Sequence, residues 1–412
     1  MELCNYPNPD QTRCYEIKAI EIPIVYNKYG DHDPNGLLYV LKKDAERIRK
    51  GALCNFSPEI PQPYEEVKPL VIRANAGDCI EFRFTNLLPE RLEESPFQME
   101  TLTDIVGHHV HLVKFDTIVS DGASNGWNNI AGARRYETLI ERFFANTGLR
   151  TVFFHDHLFA NSHQMHGMFG AMIIEEAGTT FHSVRSGREL KRGTQAVIRR
   201  RDGNPLNPPE VPGSHDDPGV MGVNYRCEPM RERLKYHDDP AYIFSSLVLG
   251  YPAAPILETC PGDEIIIRML DGAHEEQHAF NLTGLSWRRE IADPHSPLAA
   301  SQTIGISEAF NLRITQKGIL RANAGEWIEV TLHNLFDPEH PVEYFDYPTV
   351  PLDLKHKPSM RVSLNPQFLH YDPVCDSGIN AGCNNREQTV GPGESKKFLH
   401  LFDSNNPAPY IQ

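Results

Sequence analysis

Two histidine pairs of identical spacing stand near one another in this chain, His109-Val110-His111 in VGHHVHLVKFD and His155-Asp156-His157 in TVFFHDHLFANSHQMHG. Neutral imidazole is a good ligand for copper, zinc, iron and nickel and a poor one for calcium or magnesium. In an extended strand successive side chains leave opposite faces, so residues i and i+2 point the same way. Each pair therefore aims two imidazoles at one side of a sheet, and two such strands side by side would offer four nitrogen ligands. Asp156 falls between its flanking imidazoles and faces away from them, which suits a supporting contact better than a metal bond. His108 breaks the alternation and is expected to be exposed or to support a ligand. His163 and His166, in the loop after the second pair, are expected at the surface or in supporting contacts. One such pair is often just two polar residues on a wetted face; two with matching surroundings point to metal.

The elements that must position these pairs are strands. Pro 32 and Gly 29 in 412 residues favour many short strands joined by turns. The chain also repeats itself. LVIRANAGDCIEFRFTNLLPE, from Leu70, returns as ILRANAGEWIEVTLHNLFDPE, from Ile319, with a weaker copy, ILETCPGDEIIIRML, from Ile256. Each copy reads as a glycine turn leading into a half-buried strand of alternating apolar residues. FDTIVSDGASNGWNN, from Phe115, matches YDPVCDSGINAGCNN, from Tyr371, without gaps. Duplication of a β unit is the specific signal here. Helical periodicity is weak, and Leu41 to Arg49 is the best short helix candidate. Loops are expected at 56–66, 201–219 and 336–360, and linkers near 179–195 and 312–319. Strands at this frequency imply stacked antiparallel sheets in sandwich domains.

The bulk properties narrow the function. With a formal charge of −15 and no basic run, the chain is a poor partner for nucleic acid. No apolar run is long enough to span a membrane, and the first residues lack the pattern of a secretory signal, so the compartment stays open. The eight cysteines are scattered without C-x-x-C spacing. Cys79 and Cys260, beside apolar runs, are expected as buried thiols rather than ligands.

The HxH, the DG turn, the run TLIERFFANTGLRTVFFHDH and then QMHGMFGAMIIEE together resemble the first cupredoxin domain of a multicopper oxidase. The resemblance runs from about Tyr26 onward, is strongest from Val106 to Glu176, and is nearest to the large six-domain bacterial type tied to manganese oxidation. It implies an all-β fold of tandem cupredoxin-like Greek-key β-sandwich domains. It also implies a three-copper cluster held by eight histidines in four HxH-type pairs, where dioxygen is reduced to water. His109, His111, His155 and His157 match the two pairs that a first domain contributes, as ligands to type 2 and type 3 copper. The implied partners are dioxygen and a phenolic or metal-ion reductant.

The sequence departs from that pattern elsewhere. A type 1 copper site needs two His, a Cys thiolate and a weak axial group, and none of the eight cysteines is flanked by histidine. The nearest match to the family's His-Pro-x-His-x-His runs from Gln277 to Gly284. There His278 remains, Asn281 and Thr283 stand at the next two ligand positions, and His274 and His278 are expected in packing or surface roles. In the third copy Asn365-Pro366-Gln367 replaces the first pair. The expected division is 1–178, an N-terminal extension with the ligand-bearing domain; 179–315, a degenerate and truncated second domain; and 316–412, a truncated third. The chain reads as a fragment or imperfect gene model of a longer oxidase, its remaining copper ligands coming from missing C-terminal domains or another subunit. The alternative function is a non-catalytic copper-binding or structural cupredoxin protein.

Overall fold

A computed structural model of the chain describes residues 12–59, 61–90, 103–123, 131–145, 151–175, 228–237, 239–251, 264–272, 277–282, 286–290, 293, 295–315, 327–339, 359–365, 370–372, 374–382 and 387–401. They are mainly strands with a few short helices. The chain packs as two compact units. One comprises Met1–Arg226, Arg268–His278 and Thr303–Asn311; the other comprises Cys227–Ile267, Ala279–Gln302 and Leu312–Gln412.

In the first unit the strands are β1 (Thr12–Glu21), β2 (Ile24–Val25), β3 (His32–Asp33), β4 (Leu37–Leu41), β5 (Leu70–Asn75), β6 (Cys79–Asn86), β7 (His109–Val110), β8 (Lys114–Phe115), β9 (Thr138–Phe144), β10 (Thr151–His155) and β11 (Phe169–Glu175). They form a five-stranded sheet, β4-β1-β6-β9-β8, and a four-stranded sheet, β5-β11-β10-β7; β2 and β3 make a small ribbon. Most neighbours are antiparallel, while β1 with β6 and β5 with β11 are parallel. Alternation explains how the sheets stack. Ile80, Phe82 and Phe84 of β6 turn inward with Phe143 of β9 to meet Val110, Phe154, Met172 and Ile174 of the other sheet. Each such large side chain contributes about 1.5–3 kcal/mol by leaving water.

The second sheet is covered on its outer face too. Phe153 and Phe169 pack there against Ile22, Ile24, Tyr26, Val40 and Ile48, which is why TVFFH and FGAMIIE are apolar without alternating. Ile48 belongs to helix α1 (Ala45–Asn55). The helix expected from Leu41 begins later because Leu41 closes β4, and it runs past Arg49 because Ala52 buries one turn beyond Ile48. Gly51 admits the Tyr64 ring against the helix, where a β-carbon would overlap it. Among the described residues no helix is long and apolar enough to cross a membrane.

In the second unit Trp327–His333 pairs antiparallel with Ser395–Leu401, which also pairs with His370–Tyr371. This reproduces the pairing of β6 with β9 residue for residue: Cys79↔Phe144 and Thr85↔Thr138 become Trp327↔Leu401 and His333↔Ser395. The side chains agree as well. The Asn86 amide donates to the carbonyls of Asp104 and Ala133 at 2.6 and 2.9 Å, while its oxygen accepts from Leu88 N. The Asn334 amide donates to the carbonyls of Met360 and Val390, both at 2.8 Å, and its oxygen accepts from Phe336 N. The duplication read from the sequence is thus a duplication of structure.

Two expectations need correcting. Residues 312–315 are not linker but the end of a strand, Ala309–Thr315, in which Leu312 and Ile314 are buried by alternation. Cys79 is not a free thiol: it is buried at the start of β6 and disulfide-bonded. Residues 179–195, 201–219, 316–319 and 340–358, with Cys260, lie outside the described residues.

Candidate metal centre

Strands β7 and β10 run antiparallel, with His155 opposite His109 and Phe154 opposite Val110. Directly opposed residues share a face. Val110 and Phe154 therefore enter the core, both fully buried, and His109 and His155 are left together on the other side. The chain continues each pair onto that side: His111 N donates to Phe153 O at 3.0 Å, and Leu112 then turns the chain with φ 59°. All four predicted histidines converge. The ring centroids are 4.8 Å apart for His109–His157, 5.0 Å for His111–His155, 5.3 Å for both His109–His111 and His155–His157, and 5.8 Å for His109–His155. Exposure rises from His155, which is buried, through His109 and His111 to His157, which is exposed.

Three of the rings have a definable orientation. His109 Nδ1 donates to the Asp121 carbonyl at 2.6 Å, which leaves the Nε2 lone pair free for a metal. His111 Nε2 and His155 Nε2 face one another at 3.0 Å. Two nitrogens on a single ion stand roughly 3 Å apart, given metal–nitrogen bonds of about 2.0–2.1 Å. His155 Nδ1 is buried without a hydrogen-bond partner. Burial, followed by the neighbouring imidazoles, pushes His155 down to about 3 and His111 to about 4; burial also lowers His109. Such imidazoles are neutral near pH 7, the protonation state that binds metal. The donor set and the facing nitrogen pair fit a metal of the copper or zinc class. Among the described residues, however, no three His, Cys, Asp or Glu side chains gather around one ion position. The cluster offers an ion two nitrogens rather than a complete shell.

Asp156 does turn away from the imidazoles, and it is fully buried. Its carboxylate accepts from Gly107 N at 2.6 Å and Phe159 N at 2.8 Å, and lies 3.0 Å from His163 Nδ1. Burial alone would raise this carboxyl; the His163 ring and the two backbone donors hold it below the usual range. Asp156 thereby ties the segment before His109 to the turn after His157. His163 and His166 are not surface residues. Both are buried, in and just after helix α2 (Ala160–His163), with His163 Nε2 donating to Thr103 O and His166 Nδ1 bonded to Asp33 at 2.6 Å.

His108 is not exposed either. It lies wholly between the two sheets, its ring 4.5 Å from that of Phe82 and 4.8 Å from that of Phe154, with Nδ1 3.1 Å from Glu141 Oε2. Burial pushes His108 down to about 3 and Glu141 well above the carboxylate range. Glu141 escaped the sequence reading although a signal existed: in TLIERFF it shares the inward face with Leu139 and Phe143. The Asp121–Gly122 turn is legible in the sequence, whereas its bond to His109 depends on the fold. In the segment aligned with the family's His-Pro-x-His-x-His motif, the Asn281 amide donates to Ala300 O at 3.1 Å and His278 is half-buried; His274 and Thr283 lie outside the described residues.

No protein-family model matches the chain, and no curated protein matches it. Solved structures similar to it include a copper nitrite reductase from Nitrosomonas europaea, at 15% identity and TM-score 0.39, covering 74% of this chain and 84% of that one. A blue copper oxidase from Nitrosomonas europaea is similar at 14% identity and TM-score 0.41, covering 78% and 79%. A multi-copper oxidase from Pseudomonas thermotolerans is similar at 15% identity and TM-score 0.41, covering 75% and 59%. At such identities and TM-scores the likeness assigns this chain neither a family nor an activity.

Proposed function

We propose that the first sandwich holds copper through His109, His111, His155 and His157, as one half of a trinuclear site in a copper-dependent oxidoreductase of the multicopper oxidase type. The observation that carries the reading is the convergence of four imidazoles from two HxH pairs, with His111 and His155 nitrogens 3.0 Å apart. A two-nitrogen offer to an ion supports a half-site, to which further domains or another subunit bring the remaining ligands. Bound copper would supply one-electron redox chemistry and a place for dioxygen, coupled to oxidation of a phenolic or metal-ion reductant. The chain's own residues prepare that place. The Asp121 carbonyl fixes the His109 tautomer, burial keeps His155 and His111 unprotonated, and Asp156 holds the two histidine segments together. Phe153 and Phe115 wall the imidazoles and limit water. The division into three sandwiches, with ligands only in the first, is part of the same proposal.

The test is metal retention by the purified chain, loaded with Cu(I) without oxygen and then desalted. Copper retained by the wild type and lost in His155→Ala supports the reading; equal retention by both, or none by either, contradicts it. The chain lacks a histidine-flanked cysteine. An intense blue absorption with steady dye oxidation by this chain alone would therefore contradict the half-site.

A further inference from the structure

The third repeat shows which features of the first accompany its first histidine pair and which do not. The third repeat keeps the strand register, with Val330↔Phe398 standing where Phe82↔Glu141 stands in the first. It keeps the turn: Gly122 at φ 67° backs onto the His108 carbonyl, and Gly378 at φ 69° backs onto the Leu364 carbonyl. It keeps the hydrogen bond that orients the ligand position, since the Asn365 amide donates to Ser377 O at 2.7 Å where His109 Nδ1 donates to Asp121 O at 2.6 Å. Two features change together. Asn365 and Gln367 stand for His109 and His111, and the buried His108–Glu141 pair becomes Leu364 and Phe398.

A buried polar pair is costly, and apolar replacement is often neutral or stabilising. The third copy has made that replacement and keeps the same strand register and turn, so those features do not require the pair. We infer that His108 and Glu141 form a positioning pair for the metal ligand His109, an inference that rests on the copper reading proposed above. The route is short. Strand β7 has only two residues and lies at the edge of its sheet, paired to β10 alone. Glu141 sits in β9, inside the other sheet, and its bond to His108 Nδ1 crosses the core just before His109. Phe82, Phe84, Phe143, Phe154 and Tyr39 close around the His108 ring, and Gly122 blocks retreat of its backbone. The peptide that launches His109 is thus clamped at side chain and backbone.

The experiment uses the full chain with copper as the probe, reading affinity by chelator competition, the electron paramagnetic resonance spectrum of bound Cu(II), and the melting temperature of the metal-free protein. Glu141→Gln keeps a donor to His108 Nδ1 and is expected to match the wild type in affinity and spectrum. Glu141→Met fills the space without the bond and is expected to weaken copper binding about tenfold or more, with a changed spectrum. The double variant His108→Leu with Glu141→Phe installs the third copy's residues; it should melt at or above the wild-type temperature and bind copper as weakly as Glu141→Met. If that variant does not fold, the contrast between Gln and Met at 141 decides alone. Equal affinities and spectra for Gln and Met overturn the inference, as does a Gln variant as weak as Met. A wild type that binds no copper, or binds it as well after His155→Ala, overturns the copper reading itself and this inference with it.

Discussion

His155 is a base held where its charged form is disfavoured, buried among three other imidazoles with Nδ1 unpartnered. Unfolded histidines titrate near 6.5, whereas folded His111 is held at about 4, and His108 and His155 at about 3. Between those values the unfolded chain binds more protons, so stability rises with pH. With respect to these three histidines the metal-free protein should be fully stable above about pH 6.5 and lose stability as pH falls toward 4, by up to about three protons' worth of slope, against which the raised Glu141 carboxyl contributes with the opposite sign. Urea denaturation across that range checks it, and His111→Gln with His155→Gln should make the slope shallower by about two protons. Asp156 has the same sign lower down. Its folded carboxyl lies below the ordinary value, so its contribution is present above about pH 4 and lost on further acidification. Asp156→Ala strands Gly107 N, Phe159 N and the His163 ring, and should cost about 3 kcal/mol or more in chemical denaturation.

At the scale of elements, the spacing of two was the informative signal: β7 and β10 set His109 opposite His155, and His111 and His157, just past the strand ends, come to lie beside them. Alternation also placed Asp156 away from the imidazoles. Its consequences at His108 and Glu141 went unread: a residue beside an outward His109 must point inward, and so must Glu141 between Leu139 and Phe143. A polar imidazole such as His108 reads as exposed, and only the opposite sheet supplies the Glu141 partner that makes its burial tolerable. The turn that orients His109 could not be read locally, since its role depends on a contact between separate segments. Gly122→Ala tests that turn. It places a β-carbon at φ 67° against the His108 carbonyl and should cost about 2 kcal/mol or more, seen as a lower melting temperature. Copper affinity should fall with it, because the Asp121 carbonyl would leave His109.

For the whole molecule, repetition was legible because glycine turns and alternating strands recur in order, and the matching asparagine networks of Asn86 and Asn334 bear it out. The difference between copies is also written in the sequence, where Asn365 and Gln367 stand for His109 and His111. Linker positions were not, since the four residues 312–315, two of them charged or polar, are too short a run to show their alternation without the strands that flank them on either side. Distinct copies should fail separately. Asn86→Ala and Asn334→Ala each strand two backbone carbonyls and should each cost about 1–3 kcal/mol, but only Asn86→Ala should lower copper retention. The central claim is that the four imidazoles of the first sandwich hold copper. Its most direct measurement is the anomalous difference density of crystals of the copper-loaded chain, collected on either side of the copper absorption edge. The account predicts copper peaks at bonding distance from His109, His111, His155 and His157, absent in His155→Ala crystals. Ordered copper elsewhere on the chain, with the four imidazoles bare, would contradict it.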